Sequence, residues 1–337
     1  VWAKLTVTLD GYKPIQMDVA PLSPAFTRNR QAVPAGFLRK FGVGKERTLG
    51  CVSCAGLMKQ SADERDIVTL RLREPTTIPI EADSICPDLF VSRTLAEIKA
   101  LPAFYGRRKV TLGDLFEIEG DRSDRVVVEG DLWHVKKIGL RMSHGLVLVR
   151  GNAGLHLGAY MRGGEIVVEG NVSDWAGAQI QGGVIRIKGN AGHRVGAAYP
   201  GEKRGANRGT IIVEGDAGRE VGAKARRVLI VVQGNVGEFA GAYMVAGTII
   251  VLGRLGKRAG AGNKRGTILA LGEPPDILLT YRYECTIRLV FLRCYLRRLL
   301  DWGLPVPTAA VDGDFRRYSG DITALGKGEI LVYAKPE

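Results

Sequence analysis

Eight glycines set the frame of this chain. Gly130, Gly151, Gly170, Gly189, Gly215, Gly234, Gly253 and Gly272 follow one another at intervals of 21, 19, 19, 26, 19, 19 and 19 residues. From the second line on, a Gly-Ala pair stands seven residues after the first glycine, at Gly158, Gly177, Gly196, Gly222, Gly241 and Gly260. A fixed period with glycines in register marks a stack of like units, none of which can bury its apolar face alone. About 19 residues is too short for a helix–turn–helix unit and suits one turn of a parallel β-helix.

The strand signal precedes each line-starting glycine. The fourth and second residues before it are Val126/Val128, Val147/Val149, Ile166/Val168, Ile185/Ile187, Ile211/Val213, Ile230/Val232, Ile249/Val251 and Ile268/Ala270. Nearly all are β-branched, as a pleated, buried surface prefers, and alternate residues share a face. Both columns are assigned to the interior, with a second inward column at Leu157, Ala176, Val195, Val221, Ala240 and Ala259. The glycines are expected to supply positive φ at corners. Asn152, Asn171, Asn190, Asp216 and Asn235 share one corner and are expected to stack as an amide ladder.

Two rows face outward. One reads Glu129, Arg150, Glu169, Lys188, Glu214, Gln233, Leu252, a charge-alternating ladder on a solvated edge. The other reads Val127, Leu148, Val167, Arg186, Ile212, Val231, Ile250, Leu269. A contiguous apolar strip needs a cover, either the C-terminal segment or another protein chain. A helix of about 17 residues spans only about 25 Å, so another chain is the expected cover of the middle coils.

Charge concentrates in the repeats. Residues 130–272 carry a net +11 of the chain's +13. Such a field attracts acidic partners. Nucleic acid is not expected, because the basic residues are spread over several columns and few aromatics accompany them. No run approaches 18 apolar residues, so no transmembrane helix is expected. Five cysteines, an odd and small number among 337 residues, favour a reducing cytoplasm.

The flanks are read as separate pieces. Residues 1–57 are an appendage, either native or upstream of a coding start at Met58. Their Cys51-Val-Ser-Cys54 is a lone CxxC, read as a free-thiol turn because no second pair or paired His lies near. Residues 58–129 are expected to cap the first coil with a β-hairpin (68–72 with 78–81) and a short helix near 93–101. Residues 130–272 form the repeats. In 273–337 a buried helix is expected over 286–302, ended by Gly303 and Pro305, followed by a final strand over 329–333. Arg288, Arg293, Arg297 and Arg298 are read as residues that make structural salt bridges or snorkel, and Asp312, Asp314 and Asp321 as a polar turn without calcium-loop spacing.

Catalytic chemistry is hard to find. His156 and His193 occupy neighbouring lines but differ by one place in register, and His134 and His144 stand apart. No nucleophile elbow, P-loop or HExxH is present. No catalytic, cofactor-binding or metal-binding residue is assigned.

The repeat GNxGxxxGAxxxGGxIxVxG resembles the GXGXG domain shared by the carboxy-terminal part of glutamate synthase and the C subunit of formylmethanofuran dehydrogenase. The flanking segments IPIEADSI (78–85), YGRRKVTLGDLFEI (105–118), YECTIRLVFLRCYLRRLLDWGLPVP (283–307) and DFRRYSGDITALGKGEILV (314–332) look like that C subunit, most of all the version in the bacterial formyltransferase/hydrolase complex. The resemblance covers about 66–337. The line 215–233 departs from it with Arg227-Val228, and the line 189–214 with a seven-residue insertion around Pro200–Ala206.

The expected fold is therefore mainly β, a right-handed parallel β-helix. It is a single-stranded coil of about 19-residue GXGXG repeats, about seven turns, with an N-terminal cap and a C-terminal helix plus strand. The resemblance implies a non-catalytic scaffold subunit in one-carbon metabolism, formaldehyde to formate. Two alternatives stand beside it: a stand-alone β-helix enzyme and a glutamate-synthase-like structural domain. Implied partners are the other components of the complex: an amidohydrolase-like A subunit, the B subunit and a formyltransferase. The implied cofactors belong to those partners: a methanofuran-type carrier, metal ions in a zinc-type amidohydrolase and, in archaeal relatives, molybdopterin or tungstopterin. Lys203, Arg204 and Arg208 on the insertion are expected to face an acidic partner or the glutamyl chain of the carrier.

Overall fold

The computed structural model describes residues 67–335 and the backbone of two short strands, β1 (Ala3–Val7) and β2 (Ile15–Val19), which pair antiparallel. Cys51, Cys54 and the other readings made within 1–57 lie outside the described residues. The remaining strands run β3 (Val68–Leu72), β4 (Ile80–Glu81), β5 (Pro102–Tyr105), β6 (Arg108–Thr111), β7 (Phe116–Glu119), β8 (Arg125–Glu129), β9 (Val135–Lys136) and β10 (Leu146–Arg150). Then come β11 (Glu165–Val168), β12 (Val184–Ile187), β13 (Thr210–Val213), β14 (Leu229–Val232), β15 (Thr248–Val251), β16 (Thr267–Ala270), β17 (Arg282–Ile287), β18 (Phe315–Gly320) and β19 (Gly328–Tyr333).

Among the described residues the chain is mainly β, with one large, parallel-rich sheet. Thirteen strands join in the order β17-β18-β19-β16-β15-β14-β13-β12-β11-β10-β8-β3-β7. From β3 through β8 and β10 to β16 and on to β19 every pairing is parallel. The register repeats the sequence period: Ile166 pairs with Ile185, Ile185 with Ile211, Ile211 with Ile230. Both β-branched columns and the Leu157-to-Ala259 column are buried in one core. A further line of parallel bridges, Leu132–Ala153–Val172–Ala191–Ala217–Val236–Leu255, falls two residues after each line-starting glycine and joins that core.

The glycines divide by role. Gly158 sits at φ +60, and a Cβ there would lie 2.6 Å from Ile185 Cδ1, inside the core. Gly170 is different. Its N–H donates to the Gly151 carbonyl at 3.0 Å, and a Cβ would lie 2.5 Å from that oxygen. Here close approach of backbones demands glycine, not the positive φ expected for all corners.

The asparagine corner also works otherwise than as an amide-to-amide ladder. Asn171 N–H donates to Asn152 Oδ1 at 2.9 Å, Asn190 N–H to Asn171 Oδ1 at 2.8 Å, and Asp216 N–H to Asn190 Oδ1 at 2.8 Å. Asn235 N–H then donates to Asp216 Oδ1 at 2.6 Å, and Arg254 N–H to Asn235 Oδ1 at 2.9 Å. Only an acceptor oxygen is required, which is why Asp216 can stand among asparagines. The charged row forms separate pairs and not a continuous ladder, Arg150–Glu129 at 2.7 Å and Lys188–Glu169 at 3.4 Å, while Glu214 pairs with Arg186 at 2.5 Å.

The second half of the apolar outer row is covered by this chain, correcting the expectation of another chain over the middle coils, while Leu148 and Val167 are buried outside that core and Val127 is half-buried. Ile212, Val231, Ile250 and Leu269 pack in a second core with Leu292, Leu296 and Leu299, together with Leu304, Val306 and Phe315. The helix is Val290–Asp301, and its buried residues Leu292, Leu296 and Leu299 recur at i, i+4, i+7, one face only. The expected start at Thr286 is wrong, because 282–287 is the edge strand β17, paired antiparallel with β18. The helix reaches the middle coils because Gly303 turns the chain and 304–311 continues the cover. No helix among the described residues is long and apolar enough to cross a membrane.

At the other end the expected hairpin does not form. β3 joins β8 and β7 in the large sheet, while β4 joins β5 and β9 in a four-stranded sheet ordered β6-β5-β4-β9. The two strands part to cover the first coil, one for each side of it. The short helix Leu95–Lys99 forms as expected, with Thr94 and Glu97 as a capping box.

Two measurements check this packing. Val231→Asp should destabilise the isolated chain by several kcal/mol, since it buries a carboxylate without a partner; a melt within about 0.5 kcal/mol of wild type would contradict the helix cover. Asn190→Ala should lose about 1–2 kcal/mol by orphaning the Asp216 N–H, whereas Asn190→Asp keeps the acceptor and should lose less in the same denaturant titration.

Candidate functional site: a left-handed corner of basic and aromatic side chains

Each coil turns a corner just before its Gly-Ala pair. The residue two places before that glycine is left-handed in every coil: His156 (φ 65), Trp175 (φ 67), Arg194 (φ 63), Glu220 (φ 61), Phe239 (φ 63) and Arg258 (φ 58), with Lys137 (φ 68) in the first line. The geometry has a cause. It aims each N–H at a carbonyl of the next coil: His156 to Asp174 at 3.1 Å, Trp175 to His193 at 2.9 Å, Arg194 to Arg219 at 2.8 Å. A second left-handed column runs through Arg141, Tyr160, Gln179, Lys224 and Tyr243, and Tyr160 N–H meets Ala178 O at 2.9 Å.

A non-glycine residue held there costs about 1–3 kcal/mol. Glycine would relieve the strain, yet the first column holds Lys, His, Trp, Arg, Glu, Phe and Arg. Coils about 4.8 Å apart bring these side chains into a stack. Trp175 and Tyr199 stack with centroids 4.9 Å apart. Arg194 Cζ lies 4.8 Å from the Trp175 ring, and its Nε pairs with Glu220 at 2.9 Å. Arg258 lies over Phe239 at 5.3 Å and Arg141 over Tyr160 at 5.9 Å. Tyr199, at the entry to the insertion, also meets His156 and Tyr160.

Electrostatics disfavours charge here. Burial lowers the His156 pKa below its ordinary 6.5, and Lys137 and Lys136 lower it further. Burial raises that of the Tyr199 hydroxyl. Tyr199 Oη and His156 Nδ1 share a hydrogen bond at 2.8 Å whose direction is set by the imidazole tautomer. His193 plays a different part. Its backbone N–H donates to Asp174 Oδ1 at 2.7 Å, and its Nδ1 accepts the Arg219 N–H at 3.0 Å. Asp174, His193, Arg194, Arg219 and Glu220 line an open cleft of about 260 Å³. A second, of about 360 Å³, is lined by Gln179, Gln181, Asn207 and the insertion residues Glu202, Lys203, Arg204 and Gly205. Lys203, Arg204 and Arg208 are exposed.

The structure brings His156 and His193 to different contacts, so they form no shared centre. One Ser–His–Asp grouping, not foreseen, occurs at Ser143, His144 and Asp88. Asp88 Oδ1 accepts from Ser143 Oγ and lies 3.2 Å from His144 Nδ1; Ser143 Oγ lies 3.1 Å from the same nitrogen. Hydroxyl and carboxylate meet one ring atom, so the imidazole relays no proton between them. Burial pushes the neighbouring Cys86 thiol up to about 12. The C-terminal arginines pair locally, Arg288 with Asp314 at 3.1 Å and Arg293 with Asp312 at 2.7 Å, while Arg298 stacks on Trp302. Asp321 accepts from Gly262 and Thr323 backbone N–H groups. Among the described residues no three His, Cys, Asp or Glu side chains converge as metal ligands. The left-handed corner is thus a surface suited to recognition. The signal for it was the column of bulky residues two before each Gly-Ala.

The lowered His156 pKa has a pH consequence. Below about 6.5 the unfolded chain takes up a proton that the folded His156 resists. The stability it contributes is therefore full above 6.5 and lost as pH falls through the lower folded value. Between pH 7 and 5, His156→Gln should lose less stability than wild type in parallel thermal melts; equal losses would contradict the assignment.

No protein-family model matches this chain. The C subunit of tungsten-containing formylmethanofuran dehydrogenase 2 from Methanothermobacter marburgensis is 38% identical over 97 residues, 27% of this chain and 36% of that protein. The C subunit of molybdenum-containing formylmethanofuran dehydrogenase 1 from Methanothermobacter thermautotrophicus is 43% identical over 83 residues, 24% and 21% of the two chains. The chain thus spans about a third or less of the curated relatives it matches. A chain of the formyltransferase/hydrolase complex (FhcABCD) from Methylorubrum extorquens, crystallised with methylofuran, is matched over 100% of its length and 79% of this one. That match has 37% identity and a TM-score of 0.74. With a relative of this identity matched from end to end, the chain belongs to the family of formylmethanofuran dehydrogenase C subunits.

Proposed function

We propose that this chain is the non-catalytic scaffold, the C subunit, of a formylmethanofuran dehydrogenase-like or formyltransferase/hydrolase complex in one-carbon metabolism. The observation that carries the reading is the end-to-end match to a chain of the FhcABCD complex at 37% identity. Its partners are then the amidohydrolase-like A subunit, the B subunit and the formyltransferase. The carrier of the methanofuran type and any metal or pterin belong to those partners.

The scaffold reading rests on shape as well as kinship. We read the repeats 130–272 as a right-handed parallel β-helix of about seven turns, with 58–129 as its cap, 273–337 as its cover and 1–57 as an appendage. Parallel registry from β8 to β16 and the second line of bridges support a coil closed by two ladders per turn. A coil hydrogen-bonded at every level is stiff along its axis, which suits a part that holds others apart at fixed distances. Free thiols at Cys86, Cys285 and Cys294 favour work in a reducing cytoplasm.

Purified alone, the chain should turn over neither a formylated carrier nor formate with an electron acceptor. Omitting it from co-expression of the other subunits should abolish recovery of an intact complex. Turnover above a mock preparation, or an intact and active complex without this chain, would contradict the scaffold reading.

A further inference from the structure

Accepting the scaffold reading, we propose that the left-handed corner is the face on which an acidic surface of another subunit docks. Three observations, each independent of the relatives, carry this.

The first is the choice of residues. The inter-coil hydrogen bonds need only the backbone at the left-handed positions, and glycine satisfies that geometry with least strain. Large charged and aromatic side chains stand there instead, in consecutive coils. Strain retained over many positions points to a use for the side chains.

The second is composition. Arg, Trp, Tyr and Phe dominate the two columns, the residues enriched where proteins meet. Arg194, sandwiched between Trp175 and Glu220, is held in place before any partner arrives. Tyr243 is 63% exposed despite its size. Preordered aromatic and guanidinium groups lose little freedom on association.

The third is charge and extent. The two columns and the residue preceding each member of the first hold eight Lys or Arg against three Asp or Glu. Arg219, Lys257 and Arg258 are exposed and make no ion pair with this chain among the described residues. Six steps of about 4.8 Å make the corner roughly 29 Å long, the width of a standard interface of about 800 Å² per partner. A partner matching it presents carboxylates along a line, with apolar or aromatic contacts between them. The occupant is a folded protein surface. The Trp175 and Phe239 faces are already covered by arginines, so they offer no open ring for stacking bases.

The test uses the complex assembled from co-expressed subunits with a tag on the full chain. Arg219→Glu with Arg258→Glu reverses charge on the corner. Arg297→Glu with Arg316→Glu makes the same charge change at exposed sites on the C-terminal helix and on β18. The corner variant should retain about tenfold less of the other subunits, and their loss should steepen with salt, as for charge pairs across an interface. Its melt and circular dichroism should match those of wild type, and the control should assemble normally. Normal assembly of the corner variant, where omission of the chain does break the complex, overturns the corner proposal and leaves the scaffold reading standing. An equal loss in the control also overturns it, because net charge rather than this face then matters. An intact complex without the chain overturns both. Duplex DNA binding by the chain that the corner variant abolishes, with assembly unchanged, assigns the face to nucleic acid and overturns the proposal.

Discussion

Each coil of this protein is held by backbone N–H groups that find an acceptor oxygen in a neighbouring coil, and everything else in the molecule is arranged around that requirement. In the strands the partners are set by parallel pairing, Ile211 beside Ile230 and Ile230 beside Ile249. At the glycine corner Gly170 bonds Gly151, and the asparagine oxygens take the N–H groups that follow. At the left-handed corner Trp175 bonds His193 across the gap. A parallel stack has no hairpin to pin its register, so these repeated contacts do that work. A buried N–H without a partner costs about 1–3 kcal/mol, and a one-residue slip would strand one at each corner of each coil.

The same requirement explains where the chain tolerates departure. The line 189–214 inserts residues after Tyr199, yet Gly205 and Ala206 return to bond Lys224 and Gly196. The insertion loops out between two satisfied levels and delivers Tyr199 onto Trp175. The ends of a stack are the harder problem, since unpaired edges invite other chains. One end is extended by β3 and β7. The other passes to β19 in parallel and then reverses through β18 and β17 in antiparallel pairing.

Much of this was legible in the sequence. The β-branched pair before each glycine announced its own burial, because alternation along a strand leaves one face for the core. The charge pairs of the outer row were readable from fixed spacing, and a structural part for the C-terminal arginines was expected, but their partners Asp312 and Asp314 were not named by it. The cover over Val231 was not, because helix length alone underestimated what 290–315 spans; the turn at Gly303 and the apolar residues after it extend the cover. The 68–81 hairpin failed because two nearby strands with a turn between them look alike whether they pair or part into different sheets. The left-handed column was hidden because Lys, Trp, Arg and Phe carry no signature of positive φ. Once the coils are superposed, their common place two before the Gly-Ala pair makes the column plain.

With the second half of its apolar outer row covered by its own C-terminal segment, the chain keeps the basic, aromatic corner as the surface that distinguishes it. The most direct measurement is zero-length carbodiimide coupling of the intact complex followed by peptide mass spectrometry, which joins lysines to carboxylates in contact. The account predicts that Lys136 and Lys257, on the left-handed corner, couple to Asp or Glu of other subunits, while Lys137 couples to Glu81 of this chain, 2.6 Å away. Coupling between subunits confined to lysines elsewhere, such as Lys99 and Lys327, with the corner lysines joined only within this chain, would contradict it.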